Sequence, residues 1–357
     1  MKLMKKQNVY IVFILGLLVG WGCLFAYYHT NAAKVPVQQE QVKEKLVSKV
    51  EPIAFSFDKK LNLENIQQKN VIEKGDNQLQ ISPFKSLKIH GDEDVDSLKI
   101  GRMRLEKEDL GEDIAHYSIL GDTIYLHKGA TFKEDTQKEI SETIVRDFLE
   151  IVPAEYREHL TDYHVYQTGA SYMFIIPPRK EVQSAYSLGV GHLEEIISLD
   201  KQNSKSRYEF EMPFIVNALG HLLYTMPNQI DVEANVGQQI SFSESIQKTF
   251  NKDSYLRQFF TEYWKNVDLK WIDVDETTWE AERQFFKLNK DNFVSLYARK
   301  DIYEDFAESF KYFVLTKSTD LDVTKPYTQK ILFFYQYPEL VELRTLILTK
   351  MVEYEKK

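Results

Sequence analysis

The first clear pattern along the chain is an uninterrupted apolar run at residues 9–28, VYIVFILGLLVGWGCLFAYY, with no charged side chain. Twenty such residues suffice to cross a hydrocarbon core of about 30 Å as a helix. Lys2, Lys5 and Lys6 precede the run, and basic residues before a span favour an inside N-terminus. Residues 34–50 are polar, rich in Gln, Lys and Glu, and read as a stalk. Beyond them Leu79-Gln80-Ile81, Leu87-Lys88-Ile89 and Leu98-Lys99-Ile100 alternate like short strands. Tyr117–Leu120, Gly121-Asp122 and Thr123–Leu126 read as a hairpin with a tight Gly-Asp turn. A helix follows: Thr136 and Glu139 have capping-box spacing, Ile140, Ile144, Phe148 and Ile151 share a face, and Pro153 lies just past its end. Tyr172–Ile176, Ala185–Val190 and Glu195–Leu199 read as strands. A helix is expected from Pro213 to Thr225, with proline in its first turn. Further helices are expected over 245–267, 277–290, Tyr303–Leu315 and from Pro338 onward. No internal repeat is visible, and helices flank a small sheet, so the body is expected to be α+β.

Composition narrows the chemistry. The 357 residues carry 45 Lys and Arg against 54 Asp and Glu, a net charge of −9, which argues against a nucleic-acid partner. With 43% apolar and 28% charged residues the chain is of folding composition. One cysteine excludes a disulfide framework and a multi-cysteine zinc site. That cysteine, Cys23, lies inside the apolar run. Soft-metal chemistry is left to eight histidines with carboxylates.

The N-terminus sets the compartment. An uncleaved anchor places the N-terminus inside and the body on the extracellular face of the cell membrane. A cleavable signal peptide, with small residues at Thr30-Asn31-Ala32, is the rival and gives a secreted body. A lipoprotein reading at Cys23 fits less well, because Trp21 is bulky for the preceding small-residue box. The expected organisation is a cytoplasmic tail (1–8), an anchor or signal segment (9–28), a polar stalk (29–51), a small region without an assigned role (52–114) and a main domain (115–357). A cysteine-free exported body suits a bacterium.

Two segments carry candidate chemistry. The first is Ile215-Val216-Asn217-Ala218-Leu219-Gly220-His221. The second is Tyr297 followed by Glu304-Asp305-Phe306-Ala307-Glu308-Ser309-Phe310. Asn217 and His221 lie one helical turn apart, as do Glu304 and Glu308. Read without any family, His221 is a half-buried histidine with ordinary partners, and Glu304 and Glu308 form a solvated face. His192 is a candidate extra ligand, more simply an exposed histidine. His90, His116, His127, His159 and His164 show no ligand spacing. Phe259-Phe260 and Phe333-Phe334-Tyr335 read as core.

Over roughly residues 115–357 the pair of segments resembles the gluzincin metallopeptidases, in particular the branch of anthrax lethal factor and the bacterial Pro-Pro endopeptidases. That branch pairs an HExxH helix with a later E-x-F-A-E-x-F helix preceded seven residues earlier by a tyrosine. The resemblance implies a zincin-like α+β domain, with His221 and Glu304 as zinc ligands, Tyr297 as oxyanion stabiliser and Glu308 orienting a ligand. It also implies a peptide cleft walled by the strand beside the zinc helix, expected at 185–199. The chain departs from the pattern at Asn217, which replaces the first histidine ligand, and at Ala218, which replaces the general-base glutamate. Loss of a general base costs on the order of 10²–10⁴-fold. The expectation is therefore a pseudopeptidase with no cofactor, or with zinc if the site is functional. Its partner would be a peptide or a cell-surface protein. The other readings are a rearranged or artificially inactivated zinc endopeptidase, and a structural surface protein.

Overall fold

The computed structural model describes residues 61–63, 69–82, 86–89, 112–167, 172–176, 185–202, 204–230, 242–265, 267 and 279–354. The expected tail, apolar span and stalk, and the expected strand Leu98–Ile100, lie outside the described residues. Among the described residues no helix is long and apolar enough to cross a membrane. The chain divides into two compact units, residues 1–52 with 268–288 and residues 53–267 with 289–357. Described residues of the first unit belong to one helix, Trp279–Asn289. Everything below concerns the second unit, which is α+β.

Five strands form one mixed sheet: β1 (Asp113–Leu120), β2 (Thr123–Leu126), β3 (Leu160–Tyr166), β4 (Met173–Ile176) and β5 (Tyr186–Val190). Their spatial order is β2-β1-β3-β5-β4. β3 and β5 are parallel, and the other neighbours are antiparallel. Alternation decides the faces: Tyr117, Tyr163 and Val165 are buried, while His116, Asp162 and His164 are only half-buried. The expected hairpin forms at β1–β2, and Gly121 supplies a positive φ of 63° at the first central position of its turn. Arg157 ties that turn down through the Gly121 carbonyl at 2.9 Å and the Asp122 carboxylate.

The described helices of this unit are α1 (Lys69–Ile81), α2 (Asp135–Ile151), α3 (Leu193–Gln202), α4 (Ser204–Thr225), α5 (Phe242–Thr249), α6 (Tyr255–Phe259), α7 (Ile302–Leu315), α8 (Pro326–Phe334) and α9 (Pro338–Tyr354). Several expectations are corrected. Leu79–Ile81 ends α1 instead of forming a strand, and Leu87–Ile89 forms no strand either. Tertiary contacts hold α1 in helix. The Arg344 guanidinium donates to Asp76 at 2.7 Å and Thr345 donates to the Val71 carbonyl at 3.2 Å. The expected capping box is absent from α2, whose N-cap is Glu134 with no side-chain bond. Its apolar face is as expected, with Ile140, Ile144, Phe148 and Ile151 all buried. Glu195–Leu199 lies within α3, where Ile196 and Ile197 pack inward. Pro213 sits inside α4, not at its start, so the Glu209 carbonyl lacks its usual donor. The region expected to be one helix over 245–267 is broken into α5, α6 and a π-turn at Phe260–Trp264.

The helical half is built around α7, which is buried along nearly its whole length. Phe306, Phe310 and Phe313 meet Phe334 of α8 at ring centroids 5.1–5.6 Å apart. Phe259, Phe260, Phe333, Phe334 and Tyr335 are all buried, as expected of core. The same interior holds a fully buried ion pair, Lys330 with Asp305 at 2.5 Å, completed by the Trp264 indole donating at 2.7 Å. A second buried cluster places the Arg207 guanidinium between Asp147 at 2.9 Å and Glu211 at 2.6 Å. One cation faces two buried carboxyls, and burial pushes Glu211 up to about 8.

α4 and α7 run antiparallel in close contact, because residue 220 of α4 is glycine. A Cβ there would lie 2.9 Å from the Ala307 Cα and 3.1 Å from its carbonyl oxygen. Gly220→Ala is therefore expected to destabilise the protein, although alanine is the better helix former by about 1 kcal/mol. Urea denaturation of both proteins checks the sign; a more stable variant would contradict the packing.

Candidate functional site

The close approach of α4 and α7 brings five of the six singled-out positions into one polar network. Asn217 and His221 project from α4, and Glu304 and Glu308 from α7. The His221 Nε2 lies 3.2 Å from Glu304, and the Asn217 amide donates to Glu308 at 2.8 Å. These are two rungs one helical turn apart. Tyr297 stands in a 3₁₀ turn, Tyr297–Arg299, just before α7, and its hydroxyl donates to Glu304 at 3.2 Å. Asp301 caps α7 by accepting from the Glu304 amide at 2.9 Å, which fixes the first turn and with it the Glu304 side chain. Ala218, the sixth position, is fully buried and offers only a methyl group.

Glu304 and Glu308 are 7% and 3% exposed, so they do not form a solvated face. Buried carboxylates need donors. Glu304 has three: His221, Tyr297 and the Lys300 ammonium at 3.3 Å. Glu308 has three tighter ones: Asn217, the Ser295 hydroxyl at 2.5 Å and the Lys311 ammonium at 2.6 Å. Burial alone would raise the Glu304 carboxyl, but His221 and then Lys300 hold it down to about 2. Burial raises Tyr297, as do Glu304 and Glu308, so its phenol keeps its proton. Burial also keeps Tyr224 protonated, and its hydroxyl lies 2.6 Å from the His221 Nδ1. A carboxylate can only accept, so the network assigns a proton to the His221 Nε2.

This donor set does not fit a zinc ion. Catalytic zinc takes three protein ligands with a free lone pair or negative charge. Here the facing nitrogen of His221 carries a proton. The Asn217 amide is neutral and engaged with Glu308, and an ammonium already stands beside Glu304. His192 does not supply a substitute. It adopts a left-handed φ of 54° ahead of α3, with its ring against Tyr172 and its Nδ1 3.8 Å from Glu195. Among the described residues it brings no donor into reach of His221 and Glu304. Lys300 and Lys311 went unnoticed in sequence, though their spacing of four and three residues from Glu304 and Glu308 is an ion-pair signal. Ser295 and Tyr224 gave no such signal.

β4, not the segment 185–199, forms the sheet edge on the side of α4. β5 is paired on both sides, and residues 195–199 are helical. Tyr172, just before β4, packs against Phe210 and Phe214 of α4 with ring centroids 4.7 and 5.1 Å away. No family model, no curated protein and no solved structure matches the chain.

The Glu304 carboxyl gives a pH signature. Its folded value of about 2 lies below the ordinary 4.5. It therefore stabilises the fold above pH 4.5, and that stabilisation is lost as pH falls from there towards 2. Glu304→Gln lacks this dependence. The urea midpoints of the two proteins should converge between about pH 6 and about pH 3. A constant gap would contradict an ionised, stabilised Glu304.

Proposed function

We propose that the chain is a membrane-tethered pseudopeptidase of gluzincin ancestry, of the lethal-factor and Pro-Pro endopeptidase branch, which holds an extended peptide or protein segment without cutting it. The observation that carries this reading is the joint placement of His221, Glu304 and Tyr297 across α4 and α7. The spacing of 3.2 Å between the His221 Nε2 and the Glu304 Oε2 is close to the ~3.3 Å that separates two ligands of a tetrahedral ion at bond lengths of about 2.0 Å. In this reading the first histidine ligand and the base of the pattern are replaced by Asn217 and Ala218. Lys300 supplies the positive charge that Glu304 would otherwise draw from a metal ion. In this reading Tyr297 and Glu308 keep their positions but serve the network, and no hydrolytic step follows from them.

The binding surface in this reading is the edge of β4 beside α4, which no other described strand pairs. The Gly191 amide donates to the Tyr172 carbonyl. By the alternation of an antiparallel pair, the amides of Met173 and Ile175 then face away from β5. An added strand can pair with them. The apolar run 9–28 would anchor the protein, with this surface on the outer side of the membrane.

The test is a peptide-display selection, with proline-containing sequences included, on the full chain in detergent. The selected peptides are then measured on Ile175→Pro, which removes an outward amide at an edge that tolerates proline. The expected results are saturable binding, a loss of about tenfold or more in the variant, and no peptide cleavage with added zinc. Absence of any selected peptide would leave only the structural surface-protein reading. Cleavage with zinc would establish the active-peptidase reading instead.

A further inference from the structure

Three histidines dismissed for lack of ligand spacing converge on the half-exposed face of the sheet, in the β2-β1-β3 half, away from the β4 edge. His116 on β1 and His164 on β3 are register partners. His127 follows β2, and its amide donates to the His116 carbonyl at 2.9 Å. The three rings stack, with centroids 4.1 Å apart for His127 and His116 and 4.3 Å for His116 and His164. Asp162 lies two residues before His164 on the same face of β3. Its carboxylate is 2.6 Å from the His116 Nε2 and accepts the Thr161 hydroxyl at 2.6 Å. Ser118 holds the Nε2 of His127 at 2.7 Å, and Asp113 holds the Nδ1 of His164 at 2.9 Å.

We propose that His116, His127 and Asp162 form a binding site for a divalent transition-metal ion of the zinc type, distinct from the His221–Glu304 network. One donor atom from each of the three lies within 4.8 Å of the others. Two imidazoles and a carboxylate are the donor chemistry that zinc, nickel and copper(II) prefer over magnesium or calcium. Closing on an ion requires the donors to approach to about 3.3 Å of one another at bond lengths near 2.0 Å. Side-chain rotation suffices for that, because His127 is exposed and His116 and Asp162 are partly so. The ion takes the place of the proton shared between His116 and Asp162. Thr161 then orients the ligating carboxylate, as second partners of metal ligands do. Because the three ligands come from β1, β3 and the end of β2, the ion ties the short outer strand β2 to the sheet interior. One coordination position stays open to water or to a fourth donor from outside.

The contrast with His221 is chemical. There the carboxylate faces an ammonium and a phenol; here it faces an imidazole with solvent beside it. The sites are therefore separable by experiment. Tag-free full chain in detergent is dialysed against zinc ions alone near neutral pH, and bound metal is counted by elemental analysis. One zinc per chain is expected. His116→Gln and His127→Gln should each weaken binding by about tenfold or more, since even losing an outer partner of a ligand costs 10–100-fold. His116→Gln/His127→Gln should abolish binding, and His221→Gln should leave the stoichiometry unchanged. Far-UV circular dichroism establishes that each variant is folded. No bound zinc in the wild type, zinc retained by the folded double variant, or zinc lost in His221→Gln would each overturn the assignment. The proposal does not rest on peptide binding and stands or falls apart from it.

Discussion

The contact between α4 and α7 at Gly220 and Ala307 determines what the rest of this unit does. With only a hydrogen at residue 220, the two backbones approach until the side chains flanking the contact must face each other. Those side chains are Asn217 and His221 on one helix and Glu308 and Glu304 on the other. Two carboxylates are thereby forced into a nearly dry seam, where an unpaired charge would cost several kcal/mol. The chain answers with two lysines at helical spacing, two hydroxyl groups, one amide and one imidazole. The aromatic cluster of α7 and α8 packs behind the seam and excludes water from its inner side.

That arrangement also explains why Asn217 and Ala218 go together. An amide at residue 217 donates to Glu308, where an imidazole aimed at a metal ion could not do so at the same time. The methyl group at residue 218 is fully covered. Both residues are consistent with a site closed on itself. Among the described residues β4 is the edge strand on the side of α4, where Tyr172 packs against Phe210 and Phe214.

Sequence periodicity made α2 legible, because Ile140, Ile144, Phe148 and Ile151 lie at helical spacing, and prolines at 213 and 338 pointed to α4 and α9. It failed where tertiary contacts overrode local preference. Leu79–Ile81 alternates like a strand and is helical as the end of α1, which is tied to the buried Arg344 through Asp76. Glu195–Leu199 has strand-like residues but turns inward on Ile196 and Ile197. β3, Leu160–Tyr166, was missed although Asp162, Tyr163, His164 and Val165 alternate in polarity, because the alternating run is so short. The cluster of His116, His127 and Asp162 had no signature either: its ligands are 11 and 35 residues apart in order, and the β1–β2 hairpin and the β1–β3 register join them. The α4–α7 site was legible because each helix carries its pair at a spacing of four. Its closure by Ser295, Tyr224 and the two lysines depends on packing that no spacing encodes.

The central claim is that the α4–α7 seam satisfies itself and holds no metal ion. The most direct measurement is the ¹⁵N–¹H long-range correlation spectrum of the His221 imidazole, assigned by comparison with His221→Gln, with zinc ions added in excess. The account predicts that Nε2 stays protonated and its shift is unmoved by zinc. A Nε2 resonance moved to the position of a metal-bound nitrogen would contradict it.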